Sequence, residues 1–427
     1  MAVIGDYVRR LSEYLRAPLY KNAILLMADR VVMSGLGFFF WMVIAWFYAP
    51  EEAGFAAAVI PVIGFLALAS RFGFDMALVR FLPLSGENSR AIINSCLTIS
   101  GIAAILISVV FLAGLDLWAP ALRFVRARWE FLLAFILFTV VFTILTLMTQ
   151  VFVARRNAKF VLATTVVGGS RIFLAVLFVS YFGAFGVFAS WGFAEAFALL
   201  IGMLVFMRLV NPGYRAFPTL RWGVVKNMMH YSAGNYVAAI FGMLPVATLP
   251  LLVLHLLPPE NVAYYYIAYT ISGLLFAITG AVCMSLFAEG SHFERELKSN
   301  TRKALKLIFI LLVPAVIFVV LLGNLLLLAF RAEYSAKGFP LLQVFAMASI
   351  FMAFNGVFLA TRRVLKRLKP IIAIPVFNAF AIVGLAYLLL PTMGLIGAAV
   401  AWASSQALVS LGIGIYYAGR WLRRVKG

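Results

Sequence analysis

Residues 49–83 read APEEAGFAAAVIPVIGFLALASRFGFDMALVRFLP, and the reading of this stretch decides the fold. It opens on an acidic turn, crosses roughly twenty apolar residues interrupted by Pro61, and ends in Arg71, Asp75 and Arg80. At 1.5 Å rise per residue a run of that length matches a hydrocarbon layer about 30 Å thick. It therefore predicts a transmembrane helix with acid at its outer end and base at its inner end.

Composition extends that reading to the whole chain. Of 427 residues 65% are hydrophobic and 12% charged, with a mean hydropathy of +1.05. Soluble domains carry about a quarter charged residues, so the expectation is an all-α, polytopic membrane protein. The net charge of +20 raises the question of nucleic acid, but the basic residues are scattered through short loops and form no single face. Cys96 and Cys283 both lie in apolar stretches, which leaves no disulfide framework or CxxC metal site. The first 21 residues lack an apolar signal core. They place Ile4, Val8, Leu11 and Leu15 on one helical stripe and are expected to lie on the membrane surface as an amphipathic helix.

Working outward from the opening stretch, twelve spans are predicted at 22–48, 54–80, 91–113, 129–153, 160–181, 185–207, 230–257, 262–288, 304–330, 339–361, 370–390 and 394–418. With both termini cytoplasmic, 28 of the 35 basic residues fall on the inner side and five outside, leaving Arg30 and Arg171 within the membrane. That bias sets the orientation and accounts for most of the charge. The same counting predicts that the loop 289–303 is cytoplasmic and the loop 114–128 external.

The chain also repeats itself. Lys21-Asn22 recurs as Lys226-Asn227, Pro50-Glu51 as Pro259-Glu260, Val151-Phe152-x-Ala154 as Val357-Phe358-x-Ala360, and Gly183-x-x-Gly186-x4-Trp191 as Gly394-x-x-Gly397-x4-Trp402. Four matches in one order predict two six-helix lobes around a central cleft, related by an axis along the membrane normal. The expected layout is a surface helix at 1–21, lobes at 22–207 and 230–418, a cytoplasmic linker at 208–229 and a basic tail at 419–427.

Pro50-Glu51-Glu52-Ala53-Gly54-Phe55, Phe72-Gly73-Phe74 and Ala77-Leu78-Val79-Arg80-Phe81 together resemble the polysaccharide-exporter branch of the multidrug/oligosaccharidyl-lipid/polysaccharide flippase superfamily. The likeness is clearest over 20–85 and in the glycines of 183–191. It implies a two-lobed transporter that moves lipid-linked saccharides across the cytoplasmic membrane by alternating access, without a cofactor or metal. Lipid and a polyprenyl pyrophosphate-linked oligosaccharide would be its molecular partners, with a polysaccharide polymerase or glycosyltransferases nearby and no nucleic acid. The related lipid II flippases look like longer versions with two further C-terminal spans.

No catalytic pattern is present: the three histidines are far apart, and GxSxG, HExxH and phosphate-loop motifs are missing from the sequence. Charge inside the membrane is the better pointer, because each such residue costs about 2.5–3.5 kcal/mol on insertion scales. Asp29 and Arg30 follow Lys21 by eight and nine residues, Arg171 follows Lys159 by twelve, and Glu195 precedes Arg208 by thirteen. The second half offers Asn235, Asn355, Asn378 and Gln406 at comparable depth, the last matching Glu195 in the repeat. The functional reading is that Arg30, Arg171 and Arg71 attract a pyrophosphate, since guanidinium binds phosphate bidentately. The plain reading is that Asp29, Arg30, Arg171 and Glu195 neutralise one another, as Arg71 and Asp75 do four residues apart. Arg171 and Glu195 are expected at one level as an ion pair, with Asp75 and Asn235 as further polar candidates. The alternative function is a cation-coupled multidrug or metabolite antiporter of the same superfamily, for which Asp29 and Glu195 would be the exchanging carboxylates. Pro61, Pro245, Pro250 and Pro314 are candidate hinges.

Overall fold

A computed structural model describes residues 18–292 and 294–425. The surface helix predicted for the first 21 residues falls outside these, apart from residues 18–21, which form the first turn of the first long helix. Among the described residues there is no strand, and twelve helices are long and apolar enough to cross a membrane. The chain is a multi-pass membrane protein. Helices are the form such segments must take, because a lipid-exposed backbone has no other partner for its N–H and C=O groups.

In chain order the principal helices are α1 (Pro18–Phe47), α2 (Pro50–Ser70), α3 (Phe74–Phe81), α4 (Ser89–Ala113), α5 (Trp129–Ala154), α6 (Ala158–Gly168) and α7 (Arg171–Ile201). They continue with α8 (Trp222–Leu256), α9 (Glu260–His292), α10 (Leu297–Leu328), α11 (Ala332–Val364), α12 (Leu368–Met393) and α13 (Ile396–Val425). Pro61, Pro245, Pro250 and Pro314 all lie inside continuous helices, so none of them marks a break.

Two predicted spans are instead broken elsewhere. The span expected at 54–80 stops at Ser70 because Phe72 and Gly73 both take the left-handed conformation, at φ 49° and 78°. The chain restarts as α3, whose Phe74, Ala77 and Leu78 are fully buried in a core with Met148, Phe152 and Met228. Burial of that apolar face compensates the strain at Phe72, a side chain that rarely adopts positive φ. The second break, at residues 169 and 170, separates α6 from α7.

The chain forms two compact units. One contains α1 as far as Phe40, Leu66–Trp118 and Arg123–Ala233; the other contains Trp41–Phe65, Ala119–Leu122 and the chain from Gly234 onward. Within the first unit the linker between α7 and α8 is tied to α4. Tyr214 Oη donates to Asn94 Oδ1 at 2.6 Å, Asn94 Nδ2 donates to the Arg215 carbonyl at 3.0 Å, and the Arg221 amide donates to Ser95 Oγ at 3.1 Å. Burial pushes the Tyr214 hydroxyl up to about 12, which keeps it a donor at neutral pH. Within the second unit Trp46 Nε1 donates to the Ala329 carbonyl at 2.8 Å, and Arg331 donates to the Trp46 carbonyl. Gly54 is pressed against Pro259, where any Cβ would overlap the Pro259 carbonyl.

α10 illustrates how lipid and protein faces separate. Ala304, Ile308, Leu312, Val316, Val319, Gly323 and Leu327 form its buried stripe, spaced three or four residues apart. From Leu307 onward its other faces are equally apolar, with Ile310, Ile317, Leu321 and Leu325 all more than half exposed. That part of the helix has no polar side to give to water, which is what a bilayer environment requires.

The internal repeat reappears as backbone geometry. Its helix-ending turns are 210 residues apart where the Val151-Phe152 and Val357-Phe358 match is 206 apart, so the structural register lies four residues from that sequence match. α5 ends at Arg155-Arg156-Asn157 with Arg156 at φ 56°, and α11 ends at Leu365-Lys366-Arg367 with Lys366 at φ 52°. Both turns close with the same bonds, Asn157 N to Phe152 O and Arg367 N to Arg362 O, at 2.9 Å each. Gly183 (φ 49°, ψ −133°) and Gly394 (φ 62°, ψ −149°) then turn the chain into the last span of each half. A side chain is strained in that region, which is why glycine stands at both positions.

Candidate functional site: the charged residues of α1, α6 and α7

The break between α6 and α7 is local chemistry. Gly168, Gly169 and Ser170 are weak helix formers, and here the bonding tightens to three-residue steps. Gly169 N bonds Val166 O at 3.0 Å, Ser170 N bonds Val167 O at 3.0 Å, and Ile172 N bonds Gly169 O at 3.1 Å. A Cβ at Gly169 would stand 2.8 Å from the Val166 carbonyl and 3.0 Å from both Leu36 methyls, so glycine lets this turn pack on α1.

Arg171 follows immediately. Counting along α7, Arg171 lies twelve residues before Gly183 and Glu195 twelve after it. The two arms therefore return Glu195 to the level of Arg171, each about 18 Å from the turn by helical rise. Arg171 Nη1 stands 3.7 Å from Glu195 Oε1, with both side chains 14% exposed. That separation is an ion contact but exceeds hydrogen-bond length. Arg171 Nε is buried without a hydrogen-bond partner, and the guanidinium carbon lies 5.5 Å from the centre of the Phe40 ring. The guanidinium is thus held by charge and by an aromatic face while donor capacity stays unused.

Asp29 is buried, and Thr165 Oγ1 of α6 donates to its Oδ1 at 2.5 Å. Neither the pairing of Asp29 with other charges nor its cation-exchange alternative anticipates this hydroxyl; the threonine pair Thr164-Thr165 within an apolar span is the signal for it. Arg30 is exposed on α1 and has no carboxylate partner among the described residues. Arg71 and Asp75 do meet, Nε to Oδ1 at 2.8 Å, across the turn that ends α2, and Arg71 Nη1 is buried without a partner. The geometry of that turn, and not a continuous helix, brings them together. Asn235 is exposed on α8.

The second unit treats the corresponding level differently. Asn355 Nδ2 donates to Gln406 Oε1 at 2.9 Å and to the Gln406 carbonyl at 3.0 Å, and Ser410 Oγ donates to Asn355 Oδ1 at 2.9 Å. Ser405 Oγ donates to Asn378 Oδ1 at 2.7 Å. These neutral groups satisfy one another. Among the described residues no cluster of histidine, cysteine, aspartate and glutamate is arranged to hold a metal ion.

An all-helical, twelve-span chain whose half-repeats share their turns has the fold of the multidrug/oligosaccharidyl-lipid/polysaccharide (MOP) superfamily transporters. It superposes on the lipid II flippase MurJ in an inward closed conformation with a TM-score of 0.73 at 11% identity, covering 91% of this chain and 86% of that one. A multidrug resistance MATE family transporter of the MOP superfamily, inward-facing, gives 0.70 at 15% identity over 92% and 95%. A MOP superfamily transporter from Pyrococcus furiosus, described as having a binding pocket of reversed polarity, gives 0.58 at 14% identity over 96% of each chain. Residues 43–337 match the family model described as "Polysaccharide biosynthesis protein", and the chain belongs to that family. No curated protein matches it in sequence.

Proposed function

We propose that this protein flips a polyprenyl pyrophosphate-linked oligosaccharide across the cytoplasmic membrane by alternating access, for surface polysaccharide assembly. The observation that carries the reading is Arg171: a guanidinium deep in an apolar span, 3.7 Å from its carboxylate, with Nε buried and unpartnered. A cation held by charge but left with free donors is suited to a diphosphate, which accepts paired N–H groups. Arg30, exposed on α1, supplies a second cation along the path, and Glu195 keeps Arg171 poised between cargoes. Membership of the polysaccharide biosynthesis family supports the cargo class, and the lipid II flippase of like fold supports the lipid-linked form. No step makes or breaks a covalent bond, so no cofactor is required.

The antiporter reading rests on Asp29, a buried carboxylate bonded to Thr165, which could exchange a cation. Proteoliposomes separate the two. Translocation of an undecaprenyl pyrophosphate-linked oligosaccharide that drops at least about tenfold in Arg30→Ala, with partial recovery in Arg30→Lys, supports the flippase. Proton- or sodium-coupled uptake of an organic cation, lost in Asp29→Asn and untouched in Arg30→Ala, would replace it with the antiporter. Orientation is checked by cysteines placed singly at 289–303 and 114–128 in a cysteine-free background. An impermeant thiol reagent applied outside should label only the second, and labelling of the first alone overturns the cytoplasmic placement of both termini.

A further inference from the structure

We propose that a second anion site, independent of Arg171, binds a phosphate group at the end of the first unit where the loop before α4, the end of α5 and the start of the 211–221 linker meet. A cavity of about 590 Å³ opens there, lined among others by Ser89, Arg90, Arg155, Asn211 and Pro212. Its polar side chains are donors. Arg155 Nη2 donates to Ser89 Oγ at 2.7 Å, which fixes the guanidinium, while Arg155 Nε is buried with no acceptor. Asn211 Nδ2 is buried with none either. Arg90 Nη2 reaches only a stretched 3.4 Å bond to the Pro212 carbonyl. Ser89 Oγ is already spent on the Gly86 carbonyl at 2.5 Å. Two guanidinium groups thus face one cavity whose described lining holds no carboxylate, and two buried N–H donors lack partners.

The plain alternative is that Arg155 merely caps α5, since a cation is favoured at a helix C-terminus. The repeat argues against that. The matching turn at the end of α11 has the same left-handed residue and the same closing bonds, with Leu365 where α5 has Arg155. The turn closes without an arginine at that position, the cations of α11 standing instead at Arg362, Arg363, Lys366 and Arg367. An anion accepting from Arg90, Arg155 Nε and Asn211 Nδ2 would satisfy these donors together and offset the repulsion between the two arginines. The volume lies within the range of small-molecule sites, so it has room for phosphate with a substituent attached. The phosphate could come from an anionic lipid headgroup or from a soluble phosphate.

The full-length protein tests both sources. Thermal unfolding in detergent is followed with inorganic phosphate against chloride at equal ionic strength, and native mass spectrometry follows retention of phosphatidic acid against phosphatidylcholine. Arg90→Gln, at an exposed position, and Arg155→Leu, which copies the α11 turn, should each weaken binding about tenfold or more. Arg171→Gln should leave it unchanged, which keeps this site distinguishable from the transport reading. A phosphate-dependent rise in Tm assigns a soluble ligand; selective phosphatidic acid retention without it assigns a headgroup. Binding of neither, binding unaffected in both Arg90→Gln and Arg155→Leu, or binding lost only in Arg171→Gln overturns the proposal.

Discussion

Arg171 and Glu195 in the first unit correspond, 211 residues later in the chain, to Ile382 and Gln406 in the second. The first pair stands 3.7 Å apart with an unsatisfied guanidinium nitrogen, whereas Gln406 accepts a 2.9 Å bond from Asn355 within a set of neutral groups that satisfy one another. Ile382 is fully buried in packing. Shared backbone turns at Gly183 and Gly394 mean that both halves can present polar groups at this level; of the two pairs, Arg171 with Glu195 carries charge and Ile382 with Gln406 does not. A closed neutral network is a structural solution, because every buried polar group has its partner. A loose ion pair in an apolar span costs more than such a network, which is in keeping with the cargo role proposed for Arg171.

The comparison can be broken most directly by exchanging the chemistry. Gln406→Glu would place a carboxylate in the second unit with no cation beside it, at an expected cost of about 3 kcal/mol or more. The double change Arg171→Gln with Glu195→Gln, which removes a long contact and leaves no charge unpaired, should shift Tm far less. If both variants unfold at the same temperature in detergent, the contrast between the two levels has no energetic content. A smaller effect is expected for Thr165→Val, which removes the short bond to Asp29 and should lower stability by about 2 kcal/mol. Transport should survive it, and abolished transport in a well-folded Thr165→Val protein would move Asp29 into the working site. The smallest effects belong to the shared turns: Gly183→Ala and Gly394→Ala should each cost about 1–2 kcal/mol, in similar amounts, because both residues sit at positive φ. A large inequality between them would show that the repeat is less symmetric than its backbone.

The spans were legible because hydropathy over twenty residues is a strong signal, and the level shared by Arg171 and Glu195 followed from counting inward from Lys159 and Arg208. The pairing of Arg71 with Asp75 was legible too, though for the wrong local reason. The end of α2 at Ser70 was hidden because Phe72, a bulky residue, takes the left-handed turn beside Gly73. Thr165 escaped because one hydroxyl among apolar residues ordinarily bonds its own helix, as Thr164 does to the Phe160 carbonyl at 2.7 Å. The cavity of Arg90, Arg155 and Asn211 draws on three distant segments, and no spacing in the sequence reports such a meeting.

The central claim is that Arg171 is kept available for the cargo diphosphate by Glu195. A transport cycle in proteoliposomes tests it with four proteins: the natural chain, Arg171→Gln, Glu195→Gln and the double variant, each assayed for translocation of an undecaprenyl pyrophosphate-linked oligosaccharide. The account predicts that Arg171→Gln loses about tenfold or more, that Glu195→Gln loses less, and that the double variant is no worse than Arg171→Gln alone, because the two residues act as one unit. Equal translocation by all four folded proteins would contradict it.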